Sequence, residues 1–343
     1  MQKKIIEKGP LLNEQGGLAE AGYATSLIRQ YRRKDIKANS LRIKEWDYYL
    51  VSDGRKAAAF TIADNSYMGM LSASWLDLEE PSEITKSEMT VLPRGKFHLP
   101  ETSERGDISF KNAKVDIEFR NDGKQRRIHL RYPRFREDQT FWADLILSET
   151  PKDSMVIATP YADDPKAFYY NQKINCLKVK GSVQIGSERY IFDKDAYAVL
   201  DWGRGVWTYS NTWYWSSASG EIGGHRFGFN LGYGFGDTSA ATENMLFYDG
   251  KAHKLEDVTF EIPQKEDGSD DFMSPWSFTS SDGRFEASFT PVIDRKSDTN
   301  VLVIRSDQHQ VFGTFTGKAV LDDGTVVIMK DFPGFAEKVR NRW

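Results

Sequence analysis

The sequence predicts an all-β fold, with antiparallel meanders gathered into two sheet units and few short helices. Three observations predict it. Apolar residues recur with a period of two in runs that extend from Arg42 almost to the C-terminus. Corners of the Asp-Gly type separate those runs at roughly the spacing of sandwiches and barrels. Aromatic residues make up 13% of the chain, with 15 Tyr, 21 Phe and 9 Trp, as suits a sheet-rich protein with a large core or an aromatic-lined cavity.

In chain order, residues 1–24 read as an irregular lead-in, and Thr25 to Ile36 as one short helix. Two or three strands follow in RIKEWDYYLVSDGRKAAAFTIADNSYMGMLSASWLDL, broken at Ser52-Asp53-Gly54 and Asp64-Asn65-Ser66. VDIEF and RIHLRY alternate as half-buried antiparallel strands do, across a hairpin corner at Asn121-Asp122-Gly123. Residues 151–175 break the pattern with a Pro-rich loop. They are expected to divide the chain into an N-terminal unit, 1–165, and a C-terminal unit, 166–343. Strand-like runs resume at CLKVKGSVQI and continue through WSFTSS, RFEASFTPVID and NVLVIRS, with corners at Ser281-Asp282-Gly283 and Asp323-Gly324. FPGFAEKVRNRW is expected to close the chain as a short helix.

The formal net charge of −4 argues against a nucleic-acid partner. Neither a signal-peptide core nor a run of about 18 apolar residues occurs, so the expectation is a cytoplasmic protein without a transmembrane segment. Cys176, the single cysteine, excludes an internal disulfide and sits in an apolar context that suits a buried, inert thiol. The sequence leaves homo-oligomerisation open.

Chemistry concentrates between Asp201 and Gly250. Trp202, Trp207, Trp213 and Trp215 crowd there with Asp201, Arg204, Asn230, Asp237, Glu243 and Asn244. Buried carboxylates and amides need partners, whereas a concave site uses apolar walls with a few placed polar groups. Asp201 is the acid/base candidate, since a carboxyl in a dry site beside an indole resists ionisation. Arg204 is expected on the same side of the strand as Asp201, either orienting it or locking a sheet corner as an ion pair. The tryptophans are read as cavity wall, or else as core. GFNLGYGFGD (228–237) lacks the spacing and the lysine of a phosphate loop and reads as a strand with one aromatic face and one bare glycine face around Asn230. Asp237, Glu243 and Asn244 are polar contacts, or loop caps in the case of Asp237. A second polar-aromatic cluster, Tyr169, Tyr170, Asn171, Lys173 and Asn175, is expected where the two units meet. The five histidines have no metal-ligand spacing, so neither a metal nor a cofactor is expected. His309 is the one expected to reach a pocket.

Several strings carry a family resemblance. D-W-G-R-G-x-W from Asp201, the Asn230 to Asp237 segment NLGYGFGD, Glu243-Asn244, DSMVIATP, FYYNQKIN and HQVFG resemble the family catalogued as domain of unknown function 2804, over nearly the whole chain. More distantly, the chain resembles the lipocalin-like tandem-barrel proteins, among them carotenoid 1,2-hydratases, AttH-like proteins, tocopherol cyclase and fungal Diels–Alder cyclases. That likeness implies two calycin-type antiparallel barrels or half-barrels packed together, with a pocket for an apolar small molecule. Where carotenoid hydratases carry an Asp-His-x-Trp-like string, this chain reads Asp201-Trp202-Gly203-Arg204, without the histidine.

The leading functional expectation is a cofactor-independent protein that acts on an apolar or aromatic small molecule by hydration, cyclisation or isomerisation. A non-catalytic lipid or small-molecule binder is the alternative. The tryptophan and carboxylate content also admits carbohydrate binding or hydrolysis.

Overall fold

Alternation of apolar and polar side chains sets the strands. In Arg126–Arg136, Ile128, Leu130 and Tyr132 are buried, while Arg127 and Arg131 are exposed. Its partner Gln139–Ser148 buries Phe141, Ala143, Leu145 and Leu147 and exposes Trp142, Asp144 and Ile146. One face therefore enters a core and the other meets water. The computed structural model describes residues 2–301 and 304–342, and among them the only helices are two 3₁₀ turns.

The first sheet contains β1 Ile43–Ser52, β2 Lys56–Asp64, β3 Met68–Asp77, β4 Ser82–Val91, β5 Ile108–Lys111, β6 Asp116–Asn121, β7 Arg126–Arg136, β8 Gln139–Ser148, β9 Met155–Tyr161, β10 Asp164–Ile185 and β11 Tyr197–Val206. Its main path runs β4-β3-β2-β1-β11-β10-β8-β7-β6-β5, and β9 pairs with β10 beside it. The second sheet contains β12 Ser210–Ile222, β13 His225–Tyr233, β14 Met245–Tyr248, β15 Lys251–Lys254, β16 Val258–Glu261, β17 Trp276–Ser280, β18 Phe285–Val301, β19 Ile304–Val320 and β20 Val326–Arg342. Its order is β15-β14-β13-β12-β20-β19-β18-β17-β16. The two sheets curl into antiparallel half-barrels.

The hairpin corners fall where expected. Gly54, Gly123, Gly283 and Gly324 all take positive φ, between 69° and 90°, which Asp-Gly turns require. Residues 151–175 do not interrupt the strands: most of them form the β9–β10 hairpin. The boundary expected at 165–166 lies at the start of β10, within the first sheet, and the chain passes to the second sheet at residues 207–209.

Two expected helices are absent. Thr25 to Ile36 holds only the two-residue strand Arg29–Gln30 and the 3₁₀ turn Arg33–Asp35, and Tyr31 is buried against Trp202 rather than on a helix face. FPGFAEKVRNR belongs to β20, held on both sides by β12 and β19, so ladder pairing overrides a local helical preference.

Within β10, at 22 residues a long strand, a bulge between Ile174 and Leu177 turns Asn175 and Cys176 toward the second sheet. Asn175 Nδ2 donates to Ser217 Oγ at 2.8 Å and to the Phe229 carbonyl at 3.0 Å. The Cys176 thiol is buried against Gly228, on the bare face read from the sequence, and burial pushes its pKa up to about 12. The second sheet has its own core, in which Phe227, Phe229, Trp276, Phe278, Phe289 and Phe315 interlock.

Candidate functional site

Where the two sheets face each other, a cavity of about 190 Å³ opens. From the first sheet, β1 contributes Lys44, Trp46 and Tyr48, alternate residues of one strand face. Lys173 on β10 and Asp201 on β11 are direct cross-strand partners, and Tyr48 sits opposite Asp201 on its other side. From the second sheet come Trp213 and Trp215 on β12, Arg295 on β18, Gln308 and Gln310 on β19 and Glu337 on β20. Trp207 and Phe235 also line it, with Thr61, Ala63, Asn65 and Met70 of the first sheet and its turn.

The polar centre is a buried ion pair. Lys173 Nζ lies 2.8 Å from Asp201 Oδ1, and the same oxygen accepts from Asn171 Nδ2 at 2.7 Å. The ammonium also lies 3.9 Å from the Trp215 ring centre, a cation–π contact in a desolvated setting. Trp215 is fixed in turn: its Nε1 donates to Asn230 Oδ1 at 2.7 Å, and Asn230 Nδ2 donates to the Glu243 carbonyl.

A second polar chain joins the sheets. Tyr48 OH donates to Gln310 Oε1, Gln310 Nε2 donates to Glu337 Oε2 at 3.0 Å, and Trp213 Nε1 donates to Glu337 Oε1 at 2.9 Å. Burial holds the Glu337 carboxyl above its ordinary range, against the opposing pull of the Trp213 N–H and the Arg295 and Lys173 cations. Burial also pushes the Lys44 ammonium down to about 7.

The aromatic wall is continuous. Trp207 meets Trp213 at 5.2 Å, Trp46 at 5.7 Å and Tyr169 at 5.8 Å, all edge-on, and Tyr169 stacks on Phe235 at 4.7 Å. Gly203 makes room for it. A Cβ there would lie within 3.0 Å of three atoms of the Trp46 indole.

Several expected site residues lie elsewhere. Arg204 is three positions from Asp201 and therefore points to the opposite strand face. There it donates to Asp47 Oδ1 at 2.9 Å and to the carbonyls of Trp46, Gly203 and Pro100, so it is not the orienter of Asp201. Lys173 and Asn171 hold Asp201 instead. Trp202 shares the Arg204 face, wedged between Tyr31 and Tyr170, and does not line the cavity. Tyr170 also faces that way, donating to the Arg29 carbonyl. Asp237 is exposed and caps the Ser239 N–H, and Asn244 links the Gly232 N–H to the Glu256 carbonyl. His309 points away from the cavity because Gln308 and Gln310 point in: its Nδ1 is 2.6 Å from Asp294 and its ring stacks on Phe272. Among the described residues, no group of three or more His, Cys, Asp or Glu side chains is placed to hold a metal ion.

Glu243 lies behind the cavity rather than on it. Its carboxyl occupies the bare face of Gly232, with Tyr169 beside it and neither oxygen in a well-formed hydrogen bond. Burial pushes its pKa up to about 7, partly offset by Lys173 and Lys254 and reinforced by Asp201. Between its ordinary value of 4.5 and about 7, the folded chain therefore binds more protons at this site than the unfolded chain. The stability this group contributes is present below the lower value and lost as pH rises to the upper. The unfolding free energy from urea melts should fall over that window for the wild type relative to Glu243→Gln, by about 3 kcal/mol. Parallel profiles for the two proteins would contradict the assignment.

Sequence reasoning missed Lys44, Trp46, Tyr48, Arg295, Gln308, Gln310 and Glu337. The alternation in IKEWDYY puts Lys44, Trp46 and Tyr48 on one face, but nothing in it says that this face meets Asp201.

The fold and its cavity define a lipocalin-like tandem half-barrel protein with a buried ion pair between its sheets. The chain belongs to the family described as domain of unknown function DUF2804, whose model matches residues 2–343. No curated protein matches it. Among solved structures it is similar to an AttH from Nitrosomonas europaea, with 12% identity, 97% of this chain and 99% of that chain covered, and a TM-score of 0.54. CghA, solved with Sch210972, is similar at 10% identity, 97% coverage of both chains and a TM-score of 0.54. Kievitone hydratase from Nectria haematococca matches at 11% identity over 98% of each chain, with a TM-score of 0.49.

Proposed function

We propose that this protein is an acid–base catalyst, working without a cofactor, that acts on an apolar or aromatic small molecule by hydration, cyclisation or isomerisation. One observation carries the proposal: the buried Lys173–Asp201 pair opens directly onto an aromatic cavity. A buried ion pair adds little stability over an apolar pair of the same shape, whereas a carboxylate held at the wall of a dry cavity is placed to take a proton from one atom of a bound ligand and return it to another. Asp201 is the base that carries that proton between ligand atoms. Lys173 and Asn171 orient its carboxyl. Trp46, Trp207, Trp213 and Trp215 hold the substrate and attract positive charge that develops on it. The likeness to CghA, a protein solved with Sch210972, supports a ligand-holding role for this fold.

The test is an unbiased metabolite screen read by mass spectrometry, comparing the wild type with Asp201→Asn. The wild type should convert one compound, and the variant should keep its circular dichroism and still bind that compound. Turnover should fall by about 10²–10⁴-fold. Turnover at the wild-type rate in Asp201→Asn would sink the role, and binding without product in the wild type would identify a carrier instead.

A further inference from the structure

The cavity has two chemically different sides. Trp46, Trp207, Trp213 and Phe235 make one of them apolar and aromatic. Toward the other, Arg295 comes across from β18 and reaches the first sheet, where its Nη1 donates to Ser74 Oγ at 3.0 Å. Its guanidinium carbon stands 6.0 Å from the centre of the Tyr48 ring. Among the described residues, Ser74 is its only hydrogen-bond partner, and that partner is neutral. A guanidinium has five N–H donors, so most of the fork is uncommitted.

The acids of the cavity are already engaged. Asp201 is paired with Lys173 and Asn171, and Glu337 is held by Trp213 and Gln310. Neither is hydrogen-bonded to Arg295. Of the other two cations on the lining, Lys173 is paired with Asp201, and Lys44 lies four positions from Tyr48 along β1, over the Tyr67 ring at 3.9 Å. Arginine cannot give up its charge and presents a planar fork matched to two oxygens, which an ammonium cannot do.

We infer that Arg295 binds an anionic oxygen of the ligand, so that the cavity takes an aromatic or apolar acid with its flat body among the tryptophans and its carboxylate, or an equivalent oxyanion, on the guanidinium. This rests on the reading of the cavity as a small-molecule site and adds the ligand's charge class and the residue that selects it. Catalysis is not required for it.

Two probes of the same shape separate the possibilities: 2-naphthoate, which is anionic, and 2-naphthamide, which is neutral. Binding to the full chain is followed by calorimetry and by quenching of tryptophan fluorescence. The wild type should bind the carboxylate about tenfold or more tightly than the amide, the scale of one charge-assisted contact. Arg295→Gln should remove that preference while leaving amide binding unchanged, which also shows that the cavity is intact. Arg295→Lys should restore part of it. Equal binding of both probes to the wild type would overturn the charge assignment and leave the cavity reading standing. A preference that survives in Arg295→Gln would overturn the role of Arg295. Failure of both probes to bind would overturn the inference and the cavity reading together.

Discussion

Replacing Lys173 by methionine is expected to lower stability by about 3–5 kcal/mol, because the Asp201 carboxylate would then be buried without its cation. Lys173 is 1% exposed and Asp201 6% exposed, so the carboxylate would be left largely desolvated. Asn171 would remain as a neutral donor, and the cation–π contact with Trp215 would disappear. The converse change reads the same physics. In the double variant Lys173→Met, Asp201→Leu, both charges leave together, and most of the loss should be recovered. Urea unfolding of the two single variants and the double variant measures this directly. A double variant as unstable as the sum of the singles would mean that the two charges are not coupled, and would refute the pair. Recovery of stability with complete loss of turnover would place its value in chemistry.

Gly203→Ala is expected to be the most damaging small change in the cavity wall. The added methyl would enter the Trp46 ring from a strand fixed on both sides by β1 and β10. Backbone cannot retreat there, so the indole must move. Trp46 packs on Trp207 and Tyr169, and its displacement would disturb that cluster. Overpacking of this kind costs about 1–3 kcal/mol or more. Adding Trp46→Leu to Gly203→Ala should recover stability by clearing the space, while leaving a cavity of different shape. Thermal unfolding of the single and double variants, with 2-naphthamide binding as the readout of cavity shape, distinguishes a steric conflict from a general intolerance of β11 to substitution. An unchanged melting temperature in Gly203→Ala would refute the clash.

The hairpins were legible because Asp53-Gly54, Asp122-Gly123, Asp282-Gly283 and Asp323-Gly324 act locally: the turn chemistry lies in the residues themselves. The C-terminal strand was not legible, since FAEKVR has helical propensity and becomes a strand only by pairing with segments far away in sequence. The site divides in the same way. Asp201, Lys173, Asn171, Trp207, Trp213 and Trp215 stand out by composition, and all of them meet at or beside the cavity. Their pairing does not stand out: Lys173 and Asp201 become partners through the β10–β11 register, and the nearer cation in sequence, Arg204, is on the wrong face. Glu337, Gln310 and Arg295 come from strands whose polar residues look like ordinary solvent-facing positions until the sheets are placed face to face.

The long strand β10 has a consequence for how the chain is made. It pairs with β8, β9, Glu188–Phe192 and β11, and β11 then joins it to β1. On the ribosome, the hairpins β1–β2 and β7–β8 can form as soon as they emerge, but the centre of the first sheet stays open until Val206 has been synthesised. The second sheet waits longer still, because β12 finds its neighbour β20 only once Arg342 has been synthesised. Until then the nascent protein carries unpaired, apolar strand edges, the condition in which chains associate wrongly or recruit chaperones. A fold in which β12 must wait for β20 is therefore exposed to misfolding for as long as the segment between them takes to be synthesised.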